Sequence, residues 1–333
     1  MGKPDMSLLA LTFDKADASA FSAVECHDVT AQLSYLASGR RGKPSARVLV
    51  RPGDTFGGAP GTRCLCARYD TGEADGQEWW YRVSFQMPNN DGLIWELHHQ
   101  SDLYNLSNLG VAPHALIRHQ GQLKCRLAAG DGVIGQGWPV WYPANVLSSV
   151  PPMNQWVDVL VHIRFSKTSG LVEYRVDATG QQAFPASPTW SKSGVSTIPY
   201  CTAAGVTNPK PLYTELGWYG SAATDTVILH DGSVRGSTRD ETLAFYGAAP
   251  PVPLALDITA LTATVVTLGW TPPPTQAGFV PLLDGADVLT DGKRHPSLSP
   301  SANSVRIGRP QDGKQHRYGV RILEAGLQSE VTA

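Results

Sequence analysis

The sequence predicts an all-β protein of two domains, the first a jelly-roll sandwich of two stacked antiparallel sheets, and three observations predict it. Apolar patterns of helical period are scarce, while alternating and β-branched runs bounded by Gly, Pro, Asn and Asp recur throughout. The 33 glycines and 25 prolines are spread along the 333 residues rather than clustered, as many short strands joined by turns require. A proline-rich stretch, Ala248-Ala-Pro-Pro-Val-Pro253, cannot join a hydrogen-bonded ladder, so it marks a stiff linker at 248–253 between residues 1–247 and 254–333.

The elements follow in order. Residues 1–11 carry one basic residue offset by Asp5 and an apolar stretch too short for a secretion signal, so they read as a first strand. Residues 47–51, Arg-Val-Leu-Val-Arg, stop at Pro52-Gly53, and 64–69 follow Gly61 and stop before Gly72. Residues 78–86 and 93–99 are aromatic-rich runs separated by Pro88-Asn-Asn-Asp-Gly92. Residues 114–118 and 122–127 flank Gly121 as a hairpin, and 156–165 and 170–176 flank a serine-rich turn. Residues 212–219 and 226–235 complete the sandwich. Beyond the linker, alternation returns in 263–270, 280–289, 304–308 and 316–323.

Composition excludes several classes. Charged residues are only 17% against about 25% in an average soluble protein, and the net charge is −2, so a nucleic-acid surface built on bulk charge is not expected. No apolar run approaches the ~18 residues that a spanning helix needs. The five cysteines are odd in number, with no CxxC and no histidine spacing suited to zinc, so buried free thiols are expected, with Cys64 and Cys66 an inert pair on one face of a strand.

The densest polar-aromatic cluster is Glu78-Trp-Trp-Tyr-Arg-Val-Ser-Phe-Gln-Met-Pro88 followed by Asp91-Gly-Leu-Ile-Trp-Glu-Leu-His-His-Gln100. A period of two places Trp95 and Leu97 toward the core, and Ile94, Glu96 and His98 on the opposite face, where a sandwich presents a groove. Trp138, Trp141 and Tyr142, in a Pro/Gly-rich loop, are rings able to stack on pyranose faces, and Arg47 and Tyr213 join them as expected glycan contacts. Asp14 and Asp231 are candidate oxygen ligands for a structural Ca²⁺, although no loop dense in carboxylates marks such a site and no cofactor is expected. His114, His119 and His162 alternate with apolar residues and read as strand histidines.

Over residues 10 to 240 the order of segments resembles the heparin lyase I-like and glucuronan lyase-like polysaccharide lyases. The matching pieces are Arg47-Val-Leu-Val-Arg-Pro-Gly-Asp54, the 78–88 strand, Glu96-Leu-His98, Gln155-Trp-Val-Asp-Val-Leu-Val-His-Ile-Arg164, Tyr213-Thr-Glu-Leu-Gly-Trp-Tyr219 and Val227-Ile-Leu-His-Asp-Gly-Ser-Val-Arg235. The resemblance implies a concanavalin-like jelly roll that cleaves uronate glycans by β-elimination, with His98 and Tyr219 as the pair handling the proton. It also exposes two departures: Glu96 stands where the family has Gln, and Glu215 where it has Lys. At an effective dielectric of ~20, like charges 4 Å apart repel by about 4 kcal/mol, so a carboxylate here opposes a uronate. Two escapes follow: Glu96 protonated in a dry groove, or Glu96 and Glu215 as the acid and base of a glycosidase if their carboxyls stand about 5–9.5 Å apart.

The second domain resembles fibronectin type III modules, through Trp270 before Pro272-Pro-Pro274, the Leu283-Asp-Gly285 turn, Tyr318 and the final Gln328-Ser-Glu-Val331. A glycan-facing jelly roll with such a module, without a leader and with unpaired thiols, resembles the organisation of a bacteriophage minor tail protein. The expectation is a virion tail component, made in the host cytoplasm, that docks on other tail proteins, forms homo-oligomers and binds host-surface polysaccharide. The alternatives are an extracellular polysaccharide lyase or a glycoside hydrolase.

Overall fold

The computed structural model describes residues 8–37, 43–57, 61–99, 112–134, 136, 140–151, 153, 155–180, 183–206 and 212–245 of the first part of the chain. Of the second it describes residues 254–261, 265–271, 278–283, 286–287, 289–290, 293–294, 304–308, 318–324 and 327–332. The chain divides into two compact units, the first reaching Gly247 apart from residues 40–42, the second taking Ala248–Ala333.

The strands of the first unit are β1 (Leu9–Leu11), β2 (Ala23–Cys26), β3 (Leu33–Leu36), β4 (Ser45–Val50), β5 (Thr62–Glu73), β6 (Glu78–Gln86), β7 (Gly92–His98), β8 (His114–His119), β9 (Gln122–Ala128), β10 (Gly130–Asp131), β11 (Val140–Asn145), β12 (Trp156–Arg164), β13 (Gly170–Asp177), β14 (Trp190–Val195), β15 (Pro199–Tyr200), β16 (Leu212–Gly220) and β17 (Thr226–Gly236). They form two large antiparallel sheets, ordered β14-β13-β12-β6-β17-β4-β3, with β1 also on β17, and β11-β9-β8-β7-β16-β5-β2. This is a two-sheet jelly-roll sandwich, held by alternation. Trp79, Tyr81, Val83 and Phe85 of β6 and Val157, Val159, Val161 and Ile163 of β12 meet Cys66, Trp95, Leu97, Leu127, Leu216 and Trp218 of the other sheet in one core. Each such side chain contributes about 1.5–3 kcal/mol by leaving water.

Two expectations are corrected. Ile94 packs in the core with Trp95 rather than beside Glu96, because the β7–β8 register shifts between Leu93 and Trp95 and a bulge places both side chains inward. Cys26 and Cys64 are not free thiols: they face each other directly in the β2–β5 register and form a disulfide, leaving Cys66, Cys125 and Cys201 as buried thiols. Helical structure also appears, in α1 (Val29–Gln32) and α2 (Arg239–Phe245). The second starts at a variant of the capping box, with Thr238 Oγ1 accepting from Glu241 N and the Glu241 carboxylate accepting from Ser237 N, one residue before the cap.

The second unit holds a three-stranded sheet, with Val265–Thr271 between Leu254–Leu261 and Ser304–Gly308. A four-stranded sheet runs Ala286–Asp287, Gly278–Leu283, Tyr318–Glu324, Leu327–Thr332. Among the described residues, no helix of the chain is long and apolar enough to cross a membrane.

Candidate functional site

The outer face of the seven-stranded sheet carries the site. Along β5, β7, β9 and β16, outside their bulges, alternate residues point away from the core. Between the inward Cys64, Cys66, Leu97, Leu123, Cys125, Leu127, Leu212 and Leu216 stand Arg63, Glu96, His98, Lys124, Arg126, Tyr213 and Glu215.

The register brings these residues into rows. Glu215 lies directly opposite Glu96, with Ala67 beyond Glu215 and Ala115 beyond Glu96. The alanines leave the two carboxyls free to turn toward each other, and they hydrogen-bond. Arg126 lies beyond Ala115, and because that side chain is short the guanidinium reaches across to Glu96, Nη2 to Oε2 3.9 Å. On one side of this row His98 faces Tyr213, ring centroids 5.2 Å apart, and Tyr69 meets Tyr213 edge-on at 5.2 Å. On the other side Tyr219 faces Leu93 and Arg63, whose guanidinium lies 4.5 Å over its ring. Arg63 also pairs with Glu25 at 3.3 Å, and Glu25 accepts from the Tyr69 hydroxyl at 2.9 Å. A satellite apolar cluster, Leu65, Leu93, Ala115 and Ile117 with Tyr219 against it, completes the face.

Electrostatics fix the protonation. Glu96 and Glu215 are both only 4% exposed, and two carboxylates in contact cannot both stay charged. Burial raises Glu215 well above the ordinary carboxyl range, and the charge on Glu96 raises it further. Burial also raises Glu96, but the hydrogen bond from Glu215 and the charges of Arg126 and Arg63 offset part of this. Glu215 therefore keeps the proton and donates it to Glu96. Burial lowers His98, and because a carbonyl can only accept, its Nδ1 donates to the His99 oxygen at 2.9 Å. His98 is thus neutral, with the lone pair on Nε2.

The residues singled out from sequence separate into groups. Glu96, His98, Tyr213, Glu215 and Tyr219 share this face, but His98 and Tyr219 occupy different rows with the carboxyl pair between them. The hydrogen-bond contact of Glu96 and Glu215 is also too close for the separation that a glycosidase pair requires. Arg47 lies elsewhere: Ala46, Val48 and Val50 fill the core, so Arg47 points outward from β4, a strand of the other sheet. Trp141 and Tyr142 lie on β11, at the edge of the seven-stranded sheet, and Trp138 lies outside the described residues. Asp231 is buried and accepts from Ser45 Oγ at 3.1 Å, Asp14 is part-buried, and no cluster of three metal-ligating side chains occurs among the described residues. His114 and His162 are buried strand histidines, bonded to the Thr197 carbonyl and to Glu78 and Glu173. Glu25, Arg63, Tyr69 and Arg126 also belong to this constellation, though no motif in the sequence singles them out. The alternation of Lys124 and Arg126 with Leu123, Cys125 and Leu127 was a sufficient signal for the last.

No protein-family model matches the chain, and no curated protein matches it. Among solved structures, an endo-β-1,4-glucuronan lyase from the fungus Trichoderma reesei is similar over 67% of this chain and 98% of its own, at 12% identity and a TM-score of 0.50. The binding domain of botulinum neurotoxin DC, solved in complex with rat synaptotagmin II, is similar over 97% of this chain and 72% of its own, at 8% identity and a TM-score of 0.43. The catalytic domain of a GH131 β-glucanase from Podospora anserina covers 66% of this chain and 84% of its own, at 12% identity and a TM-score of 0.34. The likeness to the glucuronan lyase is one of fold, a lyase-like jelly roll.

Proposed function

We propose that the first unit is a glycan-binding module built on an eliminase-type jelly roll, and that it holds saccharide without breaking it. The observation that carries this reading is the carboxyl pair: Glu96 and Glu215 stand opposed and hydrogen-bonded where elimination calls for an amide and a cation. Elimination needs the substrate carboxylate neutralised so that the C5 proton becomes acidic, and the acid and base close to the same sugar. The pair works against the first requirement, and the separate rows of His98 and Tyr219 work against the second. Hydrolysis by the two glutamates fails on their spacing. What remains suits recognition: hydrogen-bonding carboxyls beside the Tyr213 and Tyr219 rings, the latter backed by a small buried apolar cluster.

The wider role we infer is host-surface attachment, with the second unit a fibronectin type III-like sandwich. Its three-stranded and four-stranded sheets support that assignment. A bacteriophage tail component, co-assembling with other tail proteins, fits the pairing of modules. The extracellular alternative draws support from the Cys26–Cys64 disulfide, which belongs to oxidising surroundings. The test is a panel of surface and uronate polysaccharides assayed for binding, for the absorbance of the C4–C5 double bond and for new reducing ends. Binding with neither product signal is expected. Unsaturated product, abolished in Tyr219→Phe, overturns the reading in favour of a lyase; reducing ends alone, abolished in Glu96→Gln, favour a hydrolase.

A further inference from the structure

Resting on the reading of this face as a glycan-binding surface, we propose that it selects neutral, hydroxyl-bearing saccharides and rejects their uronate counterparts. The cations of the face are already engaged. Arg63 pairs with Glu25 at 3.3 Å and lies over Tyr219, Arg126 sits 3.9 Å from Glu96, and Lys124 donates to Gln120 Oε1 at 3.4 Å. A uronate drawn to either arginine would have to compete with Glu25 or Glu96 for its counter-charge, and would approach a carboxylate while doing so. At ~4 Å and an effective dielectric of ~20, that approach alone weakens binding about a thousandfold.

A neutral sugar meets no such opposition. The Glu96 carboxylate, an acceptor-only group, keeps lone pairs for a sugar hydroxyl beside its bond from Glu215, and Glu215 supplies an acid rather than a second charge. Beside them the part-exposed Tyr219, backed by the buried Leu65, Leu93, Ala115 and Ile117, gives a ring for the C–H face of a pyranose. The titratable groups that share the face are Glu25 on β2, Arg63 and Tyr69 on β5, Glu96 and His98 on β7, His119 on β8, Lys124 and Arg126 on β9, and Tyr213, Glu215 and Tyr219 on β16.

The experiment is calorimetry of the full chain at pH 7 against oligosaccharide pairs that differ only at C6, CH₂OH against carboxylate. Suitable pairs are β-1,4-glucan with β-1,4-glucuronan, mannan with mannuronan, and galactan with galacturonan. The neutral member of at least one pair is expected to bind at least a hundredfold more tightly than its uronate partner. In Glu96→Gln/Glu215→Gln, which removes the charge but keeps hydrogen-bonding groups of the same shape, that ratio should narrow at least tenfold. If the double variant does not fold, judged by near-ultraviolet circular dichroism, Arg126→Met serves in its place, because uncovering the Glu96 charge should widen the ratio. A uronate that binds as well as its neutral partner, or a ratio that the variants leave unchanged, overturns the selectivity while the glycan-binding reading stands. No binding by any member overturns both.

Discussion

Lowering the pH from 7 to 5 should remove about 2 kcal/mol of stability from the first unit at each of two histidines, His114 and His230. Both rings are fully buried, and burial lowers each from 6.5 to about 4. Each Nε2 bonds a carbonyl, Thr197 O at 2.7 Å and Gly217 O at 3.0 Å, and so must carry the proton of the neutral ring. Neither Nδ1 has a hydrogen-bond partner among the described residues, so protonation would create a buried donor with nothing to receive it. The unfolded chain binds these protons below about pH 6.5, the native one only near 4. Stability therefore rises with pH across that window and is lost as pH falls through it. Linkage over the window gives about 2 kcal/mol for each ring at pH 5 and about 3 at pH 4. The Glu96–Glu215 pair acts in the opposite sense, since raised carboxyls stabilise at low pH and lose that contribution as pH rises through their folded values. Variants isolate the histidine share. His230→Gln keeps an N–H for the Gly217 carbonyl without a titrating ring, and urea unfolding should show its deficit against the parent chain shrinking by about 2 kcal/mol between pH 7 and 5. Amide exchange in β8 and β17 assigns the change to the first unit. A constant gap between parent and variant across that range would refute the reasoning.

Other outcomes follow from the same structure. Replacing Cys26 and Cys64 by Ser releases a cross-link across 38 residues, which the loop-entropy relation values at about 4 kcal/mol; an unchanged denaturation midpoint would count against the disulfide. Gly217 sits at φ 143°, and a Cβ there would meet the Cys64 carbonyl oxygen at 2.2 Å. Gly217→Ala should thus cost more than about 2 kcal/mol and disturb the bulge that sets Tyr219, read as a shifted unfolding midpoint together with weakened glycan binding.

Much of the fold was legible in the chain because alternation encodes it directly: Glu78-Trp-Trp-Tyr-Arg-Val-Ser-Phe and Trp156-Val-Asp-Val-Leu-Val-His-Ile appear as the strands their pattern predicts. What the pattern could not show is where it slips. A bulge adds one residue without any compositional mark, so strict alternation predicts the wrong face for Ile94. The Cys26–Cys64 disulfide depends on the register between β2 and β5, which neither strand specifies alone. The same holds at the site. Glu96 and Glu215 were recognisable as departures from a family pattern, yet their contact, and the reach of Arg126 over Ala115, emerge only when strands far apart in sequence are set side by side. The capping box of α2 was readable at Thr238-Arg-Asp-Glu241 but lies in a helix too short to show a periodic apolar stripe.

The character of this face turns on the proton held between Glu96 and Glu215. A ¹³C NMR titration of the glutamate side-chain carboxyls, with these two assigned through Glu96→Gln and Glu215→Gln, measures it directly. Glu215 should stay protonated well above the ordinary 4.5, and in Glu96→Gln, where the neighbouring charge is gone, its midpoint should fall. Two carboxyls ionising together near 4.5, each unmoved by loss of the other, would contradict the account.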